Sequence, residues 1–188
     1  ARWKQSLALF ARDALLTDGT LHGLMTRPVV YADATLAKAY ALEGHSGGDQ
    51  FEALSTDPRK RAGLLTQPAL LARLAGPDQS SPVRRGLFVL AQLMCQPLPP
   101  PPATFNIVPP MVDQTSTTRQ RFTQHSARAE CHSCHQIIDP AGFGFEHFDG
   151  VGAWRDQDNG QPVDATGTIV KALRDAQLEG DFQTVPEL

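Results

Sequence analysis

Apolar residues near the start of the chain recur at the spacing of one helix face. Trp3, Leu7, Phe10 and Ala14 follow one another at intervals of three or four residues, with polar residues between them. These intervals match the 3.6-residue period of an amphipathic helix. The pattern predicts a helix over about residues 2–17.

Similar patterns continue through the first half of the chain. An extended piece, "RPVVYAD", precedes a second helix at "ATLAKAYAL", and a third helix is expected in "DPRKRAGLLTQPALLARLAG". Pro68 lies inside the third pattern. Because proline disrupts a helix interior, we expect it to kink or split that helix.

The fourth helix has the clearest N-terminal signal. The stretch "SPVRRGLFVLAQLMC" offers Ser81 as N-cap and Pro82 at the first helical position, the order that helix starts favour. Its apolar residues again follow the helical period. Residues 1–96 are therefore expected to form a helical domain.

A proline-rich segment separates the two halves of the chain. Residues 97–110, "PLPPPPATFNIVPP", hold seven of the 15 prolines and are expected to be extended, mostly polyproline II. We interpret residues 97–114 as a stiff connector laid across the surface. A ligand for a proline-binding module is the alternative interpretation.

The second half of the chain combines a helix, an aromatic segment and a turn. Thr117 and Gln120 have the spacing of a capping box, which predicts a helix running straight into Cys131. Asn159-Gly160 is typical of a hairpin turn. The fold class predicted for the whole chain is mainly α, with one short β-hairpin in a domain that spans residues 115–188.

Composition and charge narrow the function classes. The 188 residues carry a net charge of −3 and no apolar run long enough to span a bilayer, so neither nucleic acid nor a membrane is an expected partner. The chain opens inside a helix pattern and stops without a terminating feature. We therefore expect a fragment of a longer protein.

The candidate chemistry lies in "CHSCH", residues 131–135, which uses two of only three cysteines. Cys-x-x-Cys occurs in redox dithiols, in structural zinc sites and in covalent haem attachment. No βαβ pattern supports a thioredoxin-like dithiol. A zinc site needs four ligands, and Cys95 with a histidine would have to complete it. A histidine directly after the second cysteine is required by the haem motif alone.

Covalent haem c is therefore the leading interpretation. Cys131 and Cys134 would form thioethers with two vinyl groups of one porphyrin edge, and His135 would be the proximal iron ligand. The remaining thiol, Cys95, is expected to be a buried free cysteine. Aromatic residues that follow the motif are candidates for the wall of the haem pocket: Phe143, Phe145, Phe148 and Trp154.

Three stretches of the chain carry a family resemblance. They are "RAGLLTQPALLA", "SSPVRRGLFVLAQLMCQPLPPPP" and "TTRQRFTQHSARAECHSCHQIIDPAGFGFEHFDGVGAWR". Together they resemble the C-terminal region of large secreted or periplasmic cytochrome-like proteins of planctomycetes, first grouped as domains of unknown function. The resemblance covers about residues 28–188. It implies a multidomain bacterial parent and a small cytochrome-c-like haem domain.

The second axial ligand decides which chemistry a haem performs. No methionine follows Met111, so the methionine usual downstream of the motif in small soluble cytochromes is missing. The candidates for a distal iron ligand are His125, Met111 and His147, with an open site as a further alternative. A continuous helix through His125 would argue against that residue.

Three other polar residues have candidate supporting roles. Arg155 and Arg119 are candidates for pairing with haem propionates, and solvated arginines are the alternative. Asp139 is a candidate for capping the turn after His135 or orienting its ring.

Three functions remain open at this point. The leading hypothesis is an electron-transfer module that exchanges single electrons with a redox partner protein or with other domains of the parent chain. The second is a haem redox enzyme, peroxidase-like or oxidase-like, with an open distal site. The third is a haem-stapled structural or partner-docking module. All three fit a periplasmic or secreted location.

Overall fold

The computed structural model describes residues 2–104, 108–173 and 175–188, with the side chains of Asp18 and Glu130 left aside. Residues 105–107 of the predicted proline connector lie outside the described part. Contacts within the chain define two compact units. The first comprises residues 1–73, 148–154 and 184–188, and the second comprises residues 74–147 and 155–183.

The first unit is built from short helices and one antiparallel strand pair. Its elements are α1 (Arg2–Asp13), α2 (Leu21–Thr26), β1 (Val29–Ala32), α3 (Ala34–Ala39), β2 (Glu52–Ser55) and α4 (Pro68–Arg73). A π-helical turn, Ala14–Asp18, continues α1. Single 3-10 turns, Leu64–Thr66 and Val185–Glu187, complete the unit.

The predicted third helix is mostly absent. Leu64–Thr66 forms a 3-10 turn and Pro68 begins the six-residue α4, so proline starts a helix here rather than lying inside one. Proline suits the first helical position because it has no N–H to leave unsatisfied. The sequence pattern also missed the pairing of β1 with β2, in which Val29 lies opposite Ser55 and Ala32 opposite Glu52.

A buried arginine holds residues 148–154 within the first unit. The Arg61 guanidinium donates to the Thr66 and Gly152 carbonyl oxygens, the latter at 2.7 Å, and lies 4.8 Å from the centre of the Phe148 ring. Hydrogen bonds that satisfy a buried charge make the burial tolerable. Arg61 therefore helps to fix the course of that segment, together with the Tyr40 hydroxyl, which donates to the Val151 carbonyl oxygen at 2.9 Å.

The second unit contains the CHSCH segment. Its elements are α5 (Pro82–Phe88), α6 (Thr118–Ser126), α7 (Ala129–Phe143), β3 (Gln157–Asp158), β4 (Gln161–Pro162), β5 (Gly167–Ile169) and β6 (Gly180–Phe182). A π-helical turn, Val89–Leu93, continues α5, and a 3-10 turn, Ala176–Leu178, precedes β6.

Local signals in this unit are confirmed. Ser81 caps α5 by accepting from the Arg84 amide, and Pro82 is the first helical residue. The β3–β4 hairpin turns at Asn159 and Gly160, which have φ values of 49° and 75°. The mainly α prediction with a short hairpin is confirmed, and β5 with β6 forms a further antiparallel pair.

The predicted domain bounds, 1–96, 97–114 and 115–188, stay a prediction. Within the compact units, residues 74–96 group with the CHSCH segment.

Helices α5 and α7 cross at backbone contact through two glycines. A Cβ atom built on Gly86 would overlap the Ile138 carbonyl oxygen, and one built on Gly142 would overlap the Pro82 carbonyl oxygen. A side chain at either position would therefore push the helices apart. This crossing sets the position of α7, which carries the CHSCH motif.

We expect Gly142→Ala to destabilise the protein. In an unconstrained helix interior, glycine to alanine stabilises by about 0.5–1 kcal/mol. Overpacking at a closed contact typically costs about 1–3 kcal/mol, so the sign should reverse. Chemical denaturation measures the change. Gly76→Ala is the control, because its Cβ would make a tight contact of 3.3 Å with the Gln79 carbonyl oxygen, without the overlap of 1.9 Å found at Gly142. Equal stabilities of the two variants would contradict the close crossing.

Candidate functional site

A short non-helical link separates α6 from α7, just before the motif. The capping box is confirmed, since Thr117 and Gln120 exchange hydrogen bonds at the start of α6. The prediction that this helix runs straight into Cys131 is wrong. Arg128 has extended backbone, with φ −66° and ψ 135°, and α7 begins anew at Ala129.

The motif residues lie in the first turns of α7. Cys131, Cys134 and His135 are spaced i, i+3 and i+4, so their side chains project from one side of the helix. Both cysteines are free thiols, Cys134 exposed and Cys131 half-buried. The two thiols and the imidazole are thus presented together, outside the packed core.

Asp139 orients His135 from the next helical turn. The His135 Nδ1 and Asp139 Oδ1 atoms lie 2.9 Å apart. This hydrogen bond raises the pKa of His135, and burial opposes it. A carboxylate accepts, so Nδ1 carries the proton and Nε2 is the nitrogen left for a metal. The Asp139 side chain is only 4% exposed, and its Oδ2 atom has no partner among the described residues.

A second histidine faces this one from the end of α6. The ring centres of His125 and His135 are 6.1 Å apart, and the ring planes meet at 73°. His125 is half-buried. Burial lowers its pKa, and the neighbouring His135 lowers the pKa further. The sequence named His125 as a candidate, and the helix break is what brings it to His135.

The four aromatic candidates are divided between the two units. Phe143 and Phe145 are buried in the unit that contains the motif, and the Arg119 guanidinium lies 4.5 Å from the centre of the Phe143 ring. Phe148 and Trp154 belong to the first unit, where their rings pack edge to face at 5.3 Å.

Arg155 is engaged by protein carboxylates. Its guanidinium nitrogens lie 2.8 Å from Glu146 Oε2 and 2.8 Å from Asp158 Oδ1, and one also donates to the Ser80 hydroxyl at 3.3 Å. Burial raises the pKa of Glu146, and the positive charges of Arg85 and Arg155 oppose that rise. Pairing of Arg155 with a haem propionate stays a prediction.

The cluster of Arg155, Glu146 and Asp158 also stabilises the start of α6. Asp158 on β3 accepts a hydrogen bond from the Thr118 amide at 2.5 Å. That amide is one of the unsatisfied donors at a helix N-terminus. Arg155 therefore links the segment after α7 to the hairpin, and the hairpin to α6. Sequence reasoning missed Glu146 and Asp158, because neither belongs to a recognisable motif.

Comparison with known protein families finds a match. Residues 61–158 match the family model described as PSCyt3, protein of unknown function (DUF1588). This is more than half of the chain, and it includes CHSCH. The chain belongs to this family. No curated protein and no solved structure matches.

The PSCyt3 match supports part of the family resemblance drawn from the sequence. The family's name links it to cytochromes, and its description assigns no function. The haem itself is not part of that finding. The match spans α5, α6 and α7, and therefore both histidines of the facing pair.

Three further residues named from the sequence are Met111, Cys95 and His147. Met111 is 85% exposed. Cys95 is exposed, so the expectation of a buried thiol is wrong, and its positive φ of 51° places it at a sharp turn after the π-helical segment. His147 Nδ1 lies 2.9 Å from the Arg155 carbonyl oxygen, a contact that helps shape the segment after α7.

The structure bears on the zinc alternative. Within the described residues, no three His, Cys, Asp or Glu side chains come together as metal ligands, so a four-ligand zinc site has no geometric support.

Within the same residues, no helix is long and apolar enough to cross a membrane.

We expect Arg155→Ala to destabilise the fold by about 3 kcal/mol or more, because it leaves buried Glu146 and Asp158 without this counter-ion. Arg59→Ala is the control. Arg59 is 88% exposed and pairs with Asp57, a type of contact that contributes about 0–1 kcal/mol. Denaturant unfolding of both variants makes the comparison, and an Arg155 effect as small as the control would refute this role.

Proposed function

We propose that this chain is a c-type cytochrome module. In this proposal Cys131 and Cys134 hold one haem by thioether bonds, His135 is an axial iron ligand, and the module transfers single electrons within a larger extracytoplasmic protein or complex. The observation that carries the proposal is the presentation of the two thiols and one oriented imidazole on the first turns of α7. Family membership with a cytochrome-linked name supports it.

The residues present fit a covalently bound haem. Thioether formation requires two accessible thiols on one side of a rigid element, and Cys131 and Cys134 meet this requirement. An axial histidine requires a fixed tautomer, and Asp139 fixes it by accepting from Nδ1. A buried carboxylate with an unpartnered oxygen is costly, which is consistent with selection for a functional role.

A bound haem would supply reversible one-electron chemistry between ferric and ferrous iron. The chain's own contribution is to position and tune it. The backbone crossing at Gly86 and Gly142 holds α7 in place, and α7 holds the motif. Asp139 makes the His135 ring a stronger donor. With a haem bound, a stronger donor would favour the ferric state, so the Asp139 carboxylate would lower the reduction potential.

The proposed partners are a redox protein or other domains of the parent chain. Covalent haem attachment and such an exchange both suit a periplasmic or secreted protein, as in the proteins that the sequence resembles.

Cysteine substitution tests the covalent bond. We expect protein produced together with a haem-attachment system to retain its haem after acid-acetone extraction. Cys131→Ala or Cys134→Ala should each leave one thioether and shift the reduced pyridine haemochrome band, and the double variant should lose the haem. Cys95→Ala is the matched control, since that thiol is exposed and outside the motif. Haem that is extracted equally from wild type and double variant would contradict the proposal.

Asp139→Asn tests the tuning. We expect the reduction potential of the haem-loaded protein to rise. An amide oxygen accepts the hydrogen bond from Nδ1 more weakly than a carboxylate does, which would make His135 a weaker donor to the iron. Spectroelectrochemical titration measures the shift. Asp49→Asn is the control, since Asp49 is 87% exposed and pairs with Arg2 in the first unit. Matching potentials in both variants would mean that Asp139 does not act on an iron ligand.

A further inference from the structure

The facing histidines carry an inference about the other side of the iron. We propose that His125 is the second axial ligand, so that the haem is held between the end of α6 and the start of α7 by two imidazoles. This inference rests on the proposed function. It deepens that function by making the iron six-coordinate, without an open site for a substrate.

The distance between the two rings suits one metal ion between them. Imidazole nitrogens bind metals at about 2.0–2.1 Å, which puts two rings on opposite sides of one ion with their centres roughly 6 Å apart. The ring centres of His125 and His135 are 6.1 Å apart. Edge-to-face packing alone covers about 4.5–7 Å, so the experiment below must separate ligation from packing.

The interruption between helices α6 and α7 makes this ring separation possible. His125 and His135 are ten residues apart, and a continuous helix would separate them by ~15 Å along its axis. Because Arg128 has extended backbone and α7 begins anew at Ala129, the two histidines lie on separate helices and are not held at that separation. The geometry that would have excluded His125 is therefore absent from this part of the chain.

The His125 ring is available to a metal. No hydrogen bond to either of its ring nitrogens comes from a residue that the structure describes, although the ring is half-buried. An imidazole that is partly removed from water normally acquires a polar partner.

Helix α6 holds His125 firmly in place. Phe122, one turn earlier, is 4% exposed, and Arg121 donates to Gln79 and Thr118 side chains. The Ser126 hydroxyl donates to the Phe122 carbonyl oxygen at 2.8 Å. A ligand on a rigid element moves little when the iron changes charge, which favours electron transfer over ligand exchange.

Met111 is the competing ligand from the sequence, and the structure disfavours it. Its side chain is 85% exposed. Asp113, two residues later, forms a local turn by accepting from the Thr115 and Ser116 amides at 2.8 and 2.6 Å. Met111 therefore serves as the matched control for the ligand test.

The experiment compares haem-loaded wild type, His125→Ala and Met111→Ala by optical and electron paramagnetic resonance spectra, with and without carbon monoxide. We expect low-spin spectra that carbon monoxide leaves unchanged in wild type and Met111→Ala. His125→Ala should become high-spin and bind carbon monoxide, and added imidazole should restore the low-spin spectrum. That rescue distinguishes a lost ligand from a packing defect.

A low-spin His125→Ala protein that still excludes carbon monoxide would overturn the assignment, and so would a high-spin wild type. If His125→Ala does not fold, His125→Met provides the second measurement. It should give the charge-transfer band of methionine ligation and a higher potential, and an unchanged spectrum would overturn the inference. Absence of covalent haem from every variant would instead overturn the proposed function.

Discussion

The close crossing of α5 and α7 is the constraint on which the candidate site depends. Two helices approach to backbone contact only where side chains are missing, and Gly86 and Gly142 provide this on both sides. The contact fixes the C-terminal half of α7. The N-terminal turns of the same helix carry the thiols and His135, so this contact at Gly142 helps to set the position of the motif.

A buried charge cluster does the same for α6. Arg155 joins Glu146 and Asp158, and Asp158 accepts from the first amide of the helix. Burial of such ions is costly unless each is paired and hydrogen-bonded, and this cluster meets that condition in most of its contacts. With both helices fixed, the separation of the His125 and His135 rings is a property of the scaffold. In the proposed function, this pre-organised pair of imidazoles would hold the iron with little rearrangement when its charge changes.

Signals that act within a few residues could be read from the sequence. The caps at Ser81 and Thr117, the turn at Asn159-Gly160 and the CHSCH motif each depend on their immediate neighbours, and the structure places each cap and the turn as expected. Features set by distant contacts could not be read. The break at Arg128 has no proline or glycine to announce it, and burial of Glu146 depends on Arg85 and Arg155. The motif of the candidate site could therefore be predicted from the sequence, whereas the approach of His125 to His135 could be seen only in the fold.

The central claim is that Cys131 and Cys134 hold a haem. Trypsin cuts after Arg128 and Arg155, and between them the chain has no lysine or arginine, so one peptide of residues 129–155 contains the whole motif. Tandem mass spectrometry of that peptide, from protein produced with a haem-attachment system, is the most direct measurement. We expect one haem bonded to both cysteines, and a peptide with two unmodified thiols would contradict covalent attachment.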